Sequence, residues 1–495
     1  MLSLPLLFAV LTAYSLPATA GQIPVVNGVI GGAPPISKAD AQSHTSHQVL
    51  VETSASFNTT PGKLRVVENS GVCETTPGVY QASGYGDLSA NESMWFWFFE
   101  ARKNPENAPL VLWLNGGPGS SSMLGLFQEH GPCRITNDSS TVVNNPTSWN
   151  EVANMLYIDQ PIGVGFSHGS MTVNSSETAA SDMWKFLQIF FKDSRFSKYQ
   201  KNEFALWTES YGGHYGPVFS AHFLKQNAGI TNGTVSGVPI NLKALAIGNG
   251  ITDPLVQYPG YLTYAASNPY HPLVNQSVLD TATAAWEGFL GCKEVITLCY
   301  ETNADTACAL AQALCNAVIL TPLVGIYDFY YVPSENPDPY PADFSMYINN
   351  ENITSKIGAE VEWMSLKDAV FNNFLMTGDW MRNKRAALET VIDAGVRTLI
   401  FDGDADYIAN FIGVEAMVDA LQTQFTDKYK QQSFANYTVR GQPAGIYKNA
   451  GTFSYVRVFG AGHLVPAYKF GALEYGEAAL QIFTQIMSGK SLSPT

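Results

Sequence analysis

Basic side chains are scarce in this chain of 495 residues, where 27 Lys and Arg stand against 42 Asp and Glu and the formal net charge is −15. Binding to nucleic acid or to an anionic membrane surface requires clustered Lys and Arg, so the charge argues against both functions. The chain also lacks fixed-period repeats and low-complexity blocks, which excludes solenoids and arrays. Hydrophobic residues make up 46% and aromatic residues 12%, so we expect a large core.

The first 20 residues contain no Asp, Glu, Lys or Arg. Their apolar stretch, Leu4–Leu16, is too short to span a bilayer and precedes Ala18-Thr19-Ala20, the small-x-small pattern at which signal peptidase cuts. Residues 1–20 are therefore predicted to be a removable signal peptide, which makes the protein secreted, with the vacuole as the alternative destination. Residues 21–60 form an N-terminal segment without a dibasic site, and its removal as a propeptide stays open.

A second uncharged stretch, Thr306–Tyr327, is long enough to cross a membrane. It contains Gln312, Asn316, Pro322 and two cysteines, which favour a buried helix tied by disulfides. We therefore predict no membrane span in the mature chain.

Six cysteines, an even number behind a secretion signal, predict disulfides. Four are clustered with six, eight and six residues between them, which misses the CxxC spacing that zinc sites favour. Nested disulfides are the better interpretation, and no metal is expected. The Asn-x-Ser/Thr sequons that predict glycosylation are Asn58, Asn91, Asn137, Asn174, Asn232, Asn275, Asn352 and Asn436.

Short β-branched or aromatic runs alternate with helical patterns, which is typical of an α/β protein with a mostly parallel sheet. An apolar face between Ala179 and Phe191 predicts a helix. Residues 251–385 interrupt this alternation and are interpreted as an inserted cap, between core parts 61–250 and 386–495. The predicted strands are Met94–Glu100, Pro109–Leu114, Asn154–Ile158, Phe204–Trp207, Leu242–Ile247, Arg397–Phe401 and Tyr455–Phe459.

The predicted strand Phe204–Trp207 runs into Thr208-Glu209-Ser210-Tyr211-Gly212. This segment matches the nucleophile elbow GxSxG except that Thr208 replaces the first Gly. A serine in such a turn is more often a helix N-cap, so this segment alone leaves both interpretations open.

The strand Pro109–Leu114 runs into a glycine-rich loop, Asn115-Gly116-Gly117-Pro118-Gly119-Ser120. No Gly-Lys-Ser/Thr follows, so it is not a phosphate loop. A flexible turn is one interpretation. The other is an oxyanion donor, which hydrolases of this architecture place early in the sheet and before the elbow.

A nucleophilic serine needs a base and an acid, which follow it in the order Ser, acid, His in this fold. His463, after the last predicted strand, fits that order. Asp402, Asp404 and Asp406 follow the penultimate strand, and spacing does not choose among them. Their alternation resembles a calcium loop, but Tyr407 and Gly413 stand where that loop needs Gly and Glu, so we reject a calcium site.

These residues resemble the serine carboxypeptidase family, in particular its fungal secreted, carboxypeptidase S-like branch. The resemblance covers about Val66 to Gly489 and depends on four motifs: Trp113-Leu-Asn-Gly-Gly-Pro-Gly-Ser-Ser-Ser122, Glu209-Ser-Tyr-Gly-Gly213, Gly403-Asp-Ala-Asp-Tyr-Ile408 and Gly462-His-Leu-Val-Pro466. It implies an α/β-hydrolase fold with an inserted cap and no cofactor. It also implies Ser210 as nucleophile, Asp406 as acid, His463 as base, and the amides of Gly117 and Tyr211 as oxyanion donors.

The resemblance further implies that Asn115, Gly116, Glu129 and Glu209 bind the free carboxylate at the C-terminus of a peptide or protein substrate. Without this resemblance, the sequence favours interpreting Glu129 as an ordinary exposed helix residue. Two carboxyl groups facing a substrate carboxylate cannot all be ionised, so at least one pKa should be raised and acidic pH should favour binding.

The resemblance also implies the pairs Cys292–Cys315 and Cys299–Cys308, which leaves Cys73 to pair with Cys133. The chain departs from the family at Ser120 and Ala409, where relatives often carry cysteine. We expect a secreted serine carboxypeptidase. A transferase or lyase on the same scaffold, a general secreted esterase and a non-catalytic binding protein are the alternatives, and the oligomeric state stays open.

Overall fold

The computed structural model describes residues 59–335 and 341–495. The predicted signal peptide, nearly all of segment 21–60 and the sequon at Asn58 lie outside these residues. The strands are β1 (Leu64–Glu68), β2 (Gln81–Ser89), β3 (Glu92–Phe99), β4 (Leu110–Leu114), β5 (Cys133–Ile135), β6 (Val142–Asn144), β7 (Asn154–Ile158), β8 (His168–Gly169), β9 (Phe204–Glu209), β10 (Leu242–Gly248), β11 (Arg397–Gly403), β12 (Ala435–Val439), β13 (Gln442–Ala450) and β14 (Phe453–Val458).

The α-helices alternate with these strands or follow them in the inserted region. They are α1 (Ser176–Lys192), α2 (Gly212–Thr231), α3 (Pro254–Gln257), α4 (Pro259–Ala266), α5 (Gln276–Glu287), α6 (Cys292–Thr302), α7 (Asp305–Cys315), α8 (Thr321–Leu323), α9 (Ser345–Ile348), α10 (Glu351–Ile357), α11 (Asp368–Thr377), α12 (Arg385–Asp393), α13 (Phe411–Ala420), α14 (Thr426–Lys430) and α15 (Glu477–Met487).

One twelve-stranded sheet organises the molecule. Its order is β1-β2-β3-β7-β4-β9-β10-β11-β14-β13-β12, with β8 paired to β3. The six central strands, from β7 to β14, run parallel, and antiparallel strands flank them on both sides. The predicted mostly parallel sheet is therefore confirmed, although β3 is the only antiparallel flanking strand in the described residues that the sequence patterns predicted.

The central strands form because their apolar runs are buried on both faces of the sheet. All five residues of Leu110–Leu114 and of Asn154–Ile158 are buried. Every predicted strand is present and begins or ends within two residues of its expected bounds. Helix α1 extends over Ser176–Lys192 and buries the predicted apolar face, and Ser175 caps its N-terminus.

The region between β10 and β11 is helical and carries two of the disulfides. Cys292–Cys315 and Cys299–Cys308 tie α6 to α7, whereas Cys73–Cys133 lies in the first half of the chain. The stretch Asp305–Leu323 is long and apolar enough to cross a membrane by length and composition alone. Its first helix, α7, buries both of its cysteines, which are bonded to α6.

Candidate active site

The predicted site residues meet at one edge of the sheet. The glycine-rich loop follows β4, Ser210 follows β9, Asp406 follows β11 and His463 follows β14. These four strands are parallel, so their carboxyl ends lie on the same edge. This is the edge at which open α/β sheets bind ligands.

Ser210 sits in a sharp turn between β9 and α2, with φ of 63°. This left-handed conformation is strained for a residue with a side chain, and such strain is found at functional sites. The Ser210 amide donates to the Gly248 carbonyl at 2.9 Å, and its carbonyl accepts from the Ile251 amide at 3.1 Å. A Cβ on Gly212 would lie 2.5 Å from Cβ of Thr208, so only glycine fits after Tyr211. The turn therefore has the geometry of a nucleophile elbow, and the N-cap of α2 is Tyr211 rather than Ser210.

The glycine-rich loop lies directly against this elbow. A Cβ on Gly116 would lie 2.4 Å from the amide nitrogen of Tyr211 and 2.8 Å from Cβ of Ser210. Gly117 has φ of +105°, a conformation that favours glycine. The backbone of the loop is therefore in close contact with the Ser210–Tyr211 segment. Such close contact is needed if one amide from each segment is to donate to the same oxyanion.

His463 and Asp406 are directly paired. Nδ1 of His463 lies 2.8 Å from Oδ2 of Asp406, and both side chains are buried. The Asp406 carboxylate also accepts from the amides of Ile408 and Ala409, each at 3.2 Å. Burial raises the pKa of Asp406, while the charge and the hydrogen bond of His463 act in the opposite direction. The arrangement holds the imidazole with Nε2 available for a proton.

The other two aspartates of this loop have different surroundings. Asp404 accepts from the Tyr270 hydroxyl at 2.6 Å and from the Gly460 amide at 2.8 Å. Asp402 is buried within β11, where burial raises its pKa well above the usual range. Of the three aspartates that spacing left open, Asp406 is the one that hydrogen-bonds to His463.

Two buried carboxyl groups, Glu129 and Glu209, lie beside the elbow and share one amide donor. Nδ2 of Asn115 is 2.6 Å from Oε1 of Glu209 and 3.2 Å from Oε1 of Glu129. The Asn115 carbonyl oxygen accepts from Trp113 Nε1 at 2.8 Å and from the Gly125 amide, which fixes the orientation of the side chain. Glu129 is therefore not an exposed helix residue.

Burial determines the protonation of this carboxyl pair. It raises the pKa of Glu129 to about 8, although the Asn115 amide favours the ionised form. Burial and then the charge of Glu129 raise the pKa of Glu209 well above its usual range. Oε2 of Glu129 is buried and has no partner within residues 59–335 and 341–495. The pair keeps a proton into the neutral range and has capacity for a further contact.

The position of Ser120, where relatives often carry cysteine, is joined to the inserted region without a disulfide. Ser120 forms an antiparallel bridge with Leu366, and the Lys367 amide donates to the Gly119 carbonyl at 3.1 Å. Trp363 Nε1 donates to the Ser121 hydroxyl at 2.8 Å. Backbone pairing and one indole therefore connect this part of the insertion to the glycine-rich loop.

Asp159, at the end of β7, supports the same loop and was missed by the sequence analysis. It accepts from the Ser121 hydroxyl at 2.6 Å and from the Ser122 and Phe166 amides at 2.9 Å. Burial raises its pKa to about 7, against the effect of these donors. A carboxylate at the end of a buried strand beside β4 was the signal that could have identified it.

The chain matches known proteins over nearly all of its described length. The sequence profile of the serine carboxypeptidases matches residues 71–489. Carboxypeptidase S1 of Penicillium janthinellum is 40% identical over 432 residues, which are 87% of this chain and 100% of that protein. Carboxypeptidase Y of Schizosaccharomyces pombe is 37% identical over 83% of this chain and 41% of its own, longer chain. The solved structure of Kex1(delta)p, a prohormone-processing carboxypeptidase from Saccharomyces cerevisiae, is similar in fold. Its TM-score is 0.69 at 24% identity, over 83% of this chain and 91% of that one.

Proposed function

The chain belongs to the serine carboxypeptidase family and is a hydrolase that releases C-terminal residues from peptides, and from that premise we propose that Ser210, His463 and Asp406 form its catalytic triad. The observation that carries this proposal is the 2.8 Å contact between His463 and Asp406 at the sheet edge where the strained Ser210 also lies.

In the proposed acylation step, Ser210 Oγ attacks the carbonyl carbon of the last peptide bond. His463 accepts the hydroxyl proton and passes it to the leaving amino group as the C–N bond breaks. The amides of Gly117 and Tyr211 donate to the oxyanion that forms. Water, activated by His463, then hydrolyses the acyl ester and restores the serine.

We propose that Asn115, Gly116, Glu129 and Glu209 bind the carboxylate of the last substrate residue. Glu129 and Glu209 retain protons because they are buried, so they donate to an anion that two ionised carboxylates would repel. Recognition of this kind favours acidic-to-neutral over alkaline conditions and distinguishes a carboxypeptidase from a general esterase.

A peptide with a free C-terminus should be cleaved at least about 100-fold more efficiently in kcat/KM than the same peptide carrying a C-terminal amide, because the amide leaves the buried carboxyl groups without an anionic partner. Timed release of amino acids from both peptides near pH 5 measures this ratio. Equal rates would identify a general esterase or amidase. Transfer of the acyl group to an added alcohol or amine in place of water, from an activated ester, would favour the transferase alternative.

We propose that the protein is secreted, with the vacuole as the alternative destination, and that residues 61–250 and 386–495 form the core around a cap of residues 251–385. The six cysteines form three disulfides, which suit an oxidising secretory compartment. The described sequon asparagines are all exposed, as glycosylation requires: Asn91, Asn137, Asn174, Asn232, Asn275, Asn352 and Asn436.

Secreted protein from a fungal host should decrease in mass on treatment with an endoglycosidase, because exposed sequons are accessible to the glycosylation machinery. Mass spectrometry of the treated protein reports which asparagines were modified, and the same chain made in bacterial cytoplasm is the control. An unchanged mass of the secreted protein would contradict glycosylation, and absence of the protein from the culture medium would contradict the proposed secretion.

A further inference from the structure

One buried carboxylate, that of Asp379, joins the inserted region to the nucleophile elbow. Asp379 follows α11 and begins a short 3-10 turn, Asp379–Met381, and it is completely buried. The Tyr211 hydroxyl donates to Oδ2 of Asp379 across 168 positions of sequence. Tyr211 is the residue immediately after Ser210, and its backbone amide is one of the two proposed oxyanion donors.

Asp379 is held in place independently of Tyr211. The amide and the hydroxyl of Ser176, at the start of α1, donate to Oδ2 at 3.0 and 2.6 Å. Lys384 places Nζ 3.0 Å from Oδ1, and its side chain is 5% exposed. Although burial alone would raise the pKa of Asp379, the charges of Lys384 and His214 and the hydrogen bonds hold it at about 2. The carboxylate is therefore a permanent and rigid acceptor.

The ring of Tyr211 has little freedom around this anchor. It stacks on Trp380, with ring centroids 5.7 Å apart, and on His214 at 4.6 Å, and it meets Phe374 edge-on at 5.8 Å. Trp380 follows Asp379 directly, so the same turn supplies both the acceptor and a wall of the ring's cage. A ring held at its hydroxyl and on its faces restricts the movement of the backbone to which it is attached.

We propose that Asp379 is a positioning residue, which, through the Tyr211 hydroxyl, holds the Tyr211 amide and the strained Ser210 turn in the geometry that stabilises the transition state. The inserted region then contributes alignment to the oxyanion hole while donating none of its hydrogen bonds. This inference depends on the proposed function, because it assigns Asp379 a part in that same acyl transfer.

Tyr211→Phe removes the hydroxyl alone and leaves Asp379 with Ser176 and Lys384. Because a misplaced oxyanion donor weakens the transition state rather than substrate binding, kcat should decrease about 10- to 100-fold. KM should stay within about threefold of the parent value. Asp379→Asn should produce the same split. The double variant should be no slower than the slower single variant, because both substitutions break one connection.

To distinguish a positioning role from a general effect on folding, the concentration of active enzyme is measured for each variant. Labelling with a fluorophosphonate gives the active-site concentration of each variant, and kcat is expressed per labelled site. The Ki of a peptide aldehyde, whose adduct oxygen occupies the oxyanion hole, should increase by the factor that kcat loses. Glu177→Gln is the matched control, because Glu177 is exposed and contacts Lys384 at 2.7 Å without reaching Tyr211. It should leave both constants within about twofold of the parent.

Parent-like kcat per labelled site in Tyr211→Phe or in Asp379→Asn would overturn the inference, and so would a lower count of labelled sites with unchanged kcat and aldehyde Ki. Labelling that persists in Ser210→Ala would instead contradict the proposed function. The two failures are therefore distinguishable.

Discussion

Ser210→Ala should lower kcat for release of the terminal residue by about 10⁴- to 10⁶-fold, because the nucleophile is lost and only binding and the oxyanion donors remain. Combining it with His463→Ala should cost little more, since the two groups act as a unit. Asp406→Asn should cost about 10⁴-fold, because the histidine loses its partner for the required tautomer. Initial rates with a free-carboxylate peptide at equal enzyme concentration measure all three.

Thermal unfolding supplies the control for these variants. Ser210 has φ of 63°, so alanine at this position inherits the same backbone strain and should leave Tm nearly unchanged. Ser210→Gly should be equally inactive yet more stable by about 1 kcal/mol, because glycine adopts this conformation without strain. Residual activity above about 1% of the parent value in folded Ser210→Ala would contradict the assignment of the nucleophile.

The central strands were predictable from sequence because parallel strands buried on both faces have continuous apolar runs. Strand β2, Gln81–Ser89, was missed since Gly84, Gly86 and Asp87 interrupt any such run. Position 84 requires glycine, because a Cβ there would lie 1.9 Å from the Arg65 carbonyl oxygen in the neighbouring strand. Close packing between the antiparallel strands β1 and β2 thus requires a glycine that interrupts the apolar run by which a strand is predicted.

The approximate location of the site was predictable for a similar reason. Parallel strands place their carboxyl ends on one edge, so residues after β4, β9, β11 and β14 had to meet there. The choice of Asp406 over Asp404 was not predictable from spacing, because it depends on Tyr270 and Gly460, which occupy Asp404. These partners are distant in sequence, and only tertiary structure brings them to the aspartate.

The proposed role of Asp379 was even less predictable from sequence. It lies in a region interpreted from sequence only as an insertion. Its proposed role depends on Lys384, five positions along the chain, and on Ser176 and Tyr211, which are 203 and 168 positions away. No local sequence motif predicts a buried carboxylate with these partners. The sequence could predict residues that do chemistry by type and order, but not a residue that acts by holding another.

The Glu129–Glu209 pair should make peptide cleavage depend on pH in a way that a blocked substrate does not share. Burial raises the pKa of Glu129 to about 8, and burial together with the charge of Glu129 raises the pKa of Glu209 well above its usual range. As pH rises through this titration the pair becomes anionic and repels the substrate carboxylate.

Above about pH 8, kcat/KM for a free-carboxylate peptide should decrease about tenfold per pH unit for each proton that the pair loses. An ester or amide substrate without a carboxylate should decline much less over the same range, and it serves as the internal control. Glu129→Gln limits the pair to one negative charge, so the alkaline decline of that variant should be shallower. Parallel pH profiles of kcat/KM for the two substrate types would contradict a role of the pair in binding the substrate carboxylate. An unchanged alkaline slope in Glu129→Gln would contradict it as well, because the charge of the pair would then have no influence on binding.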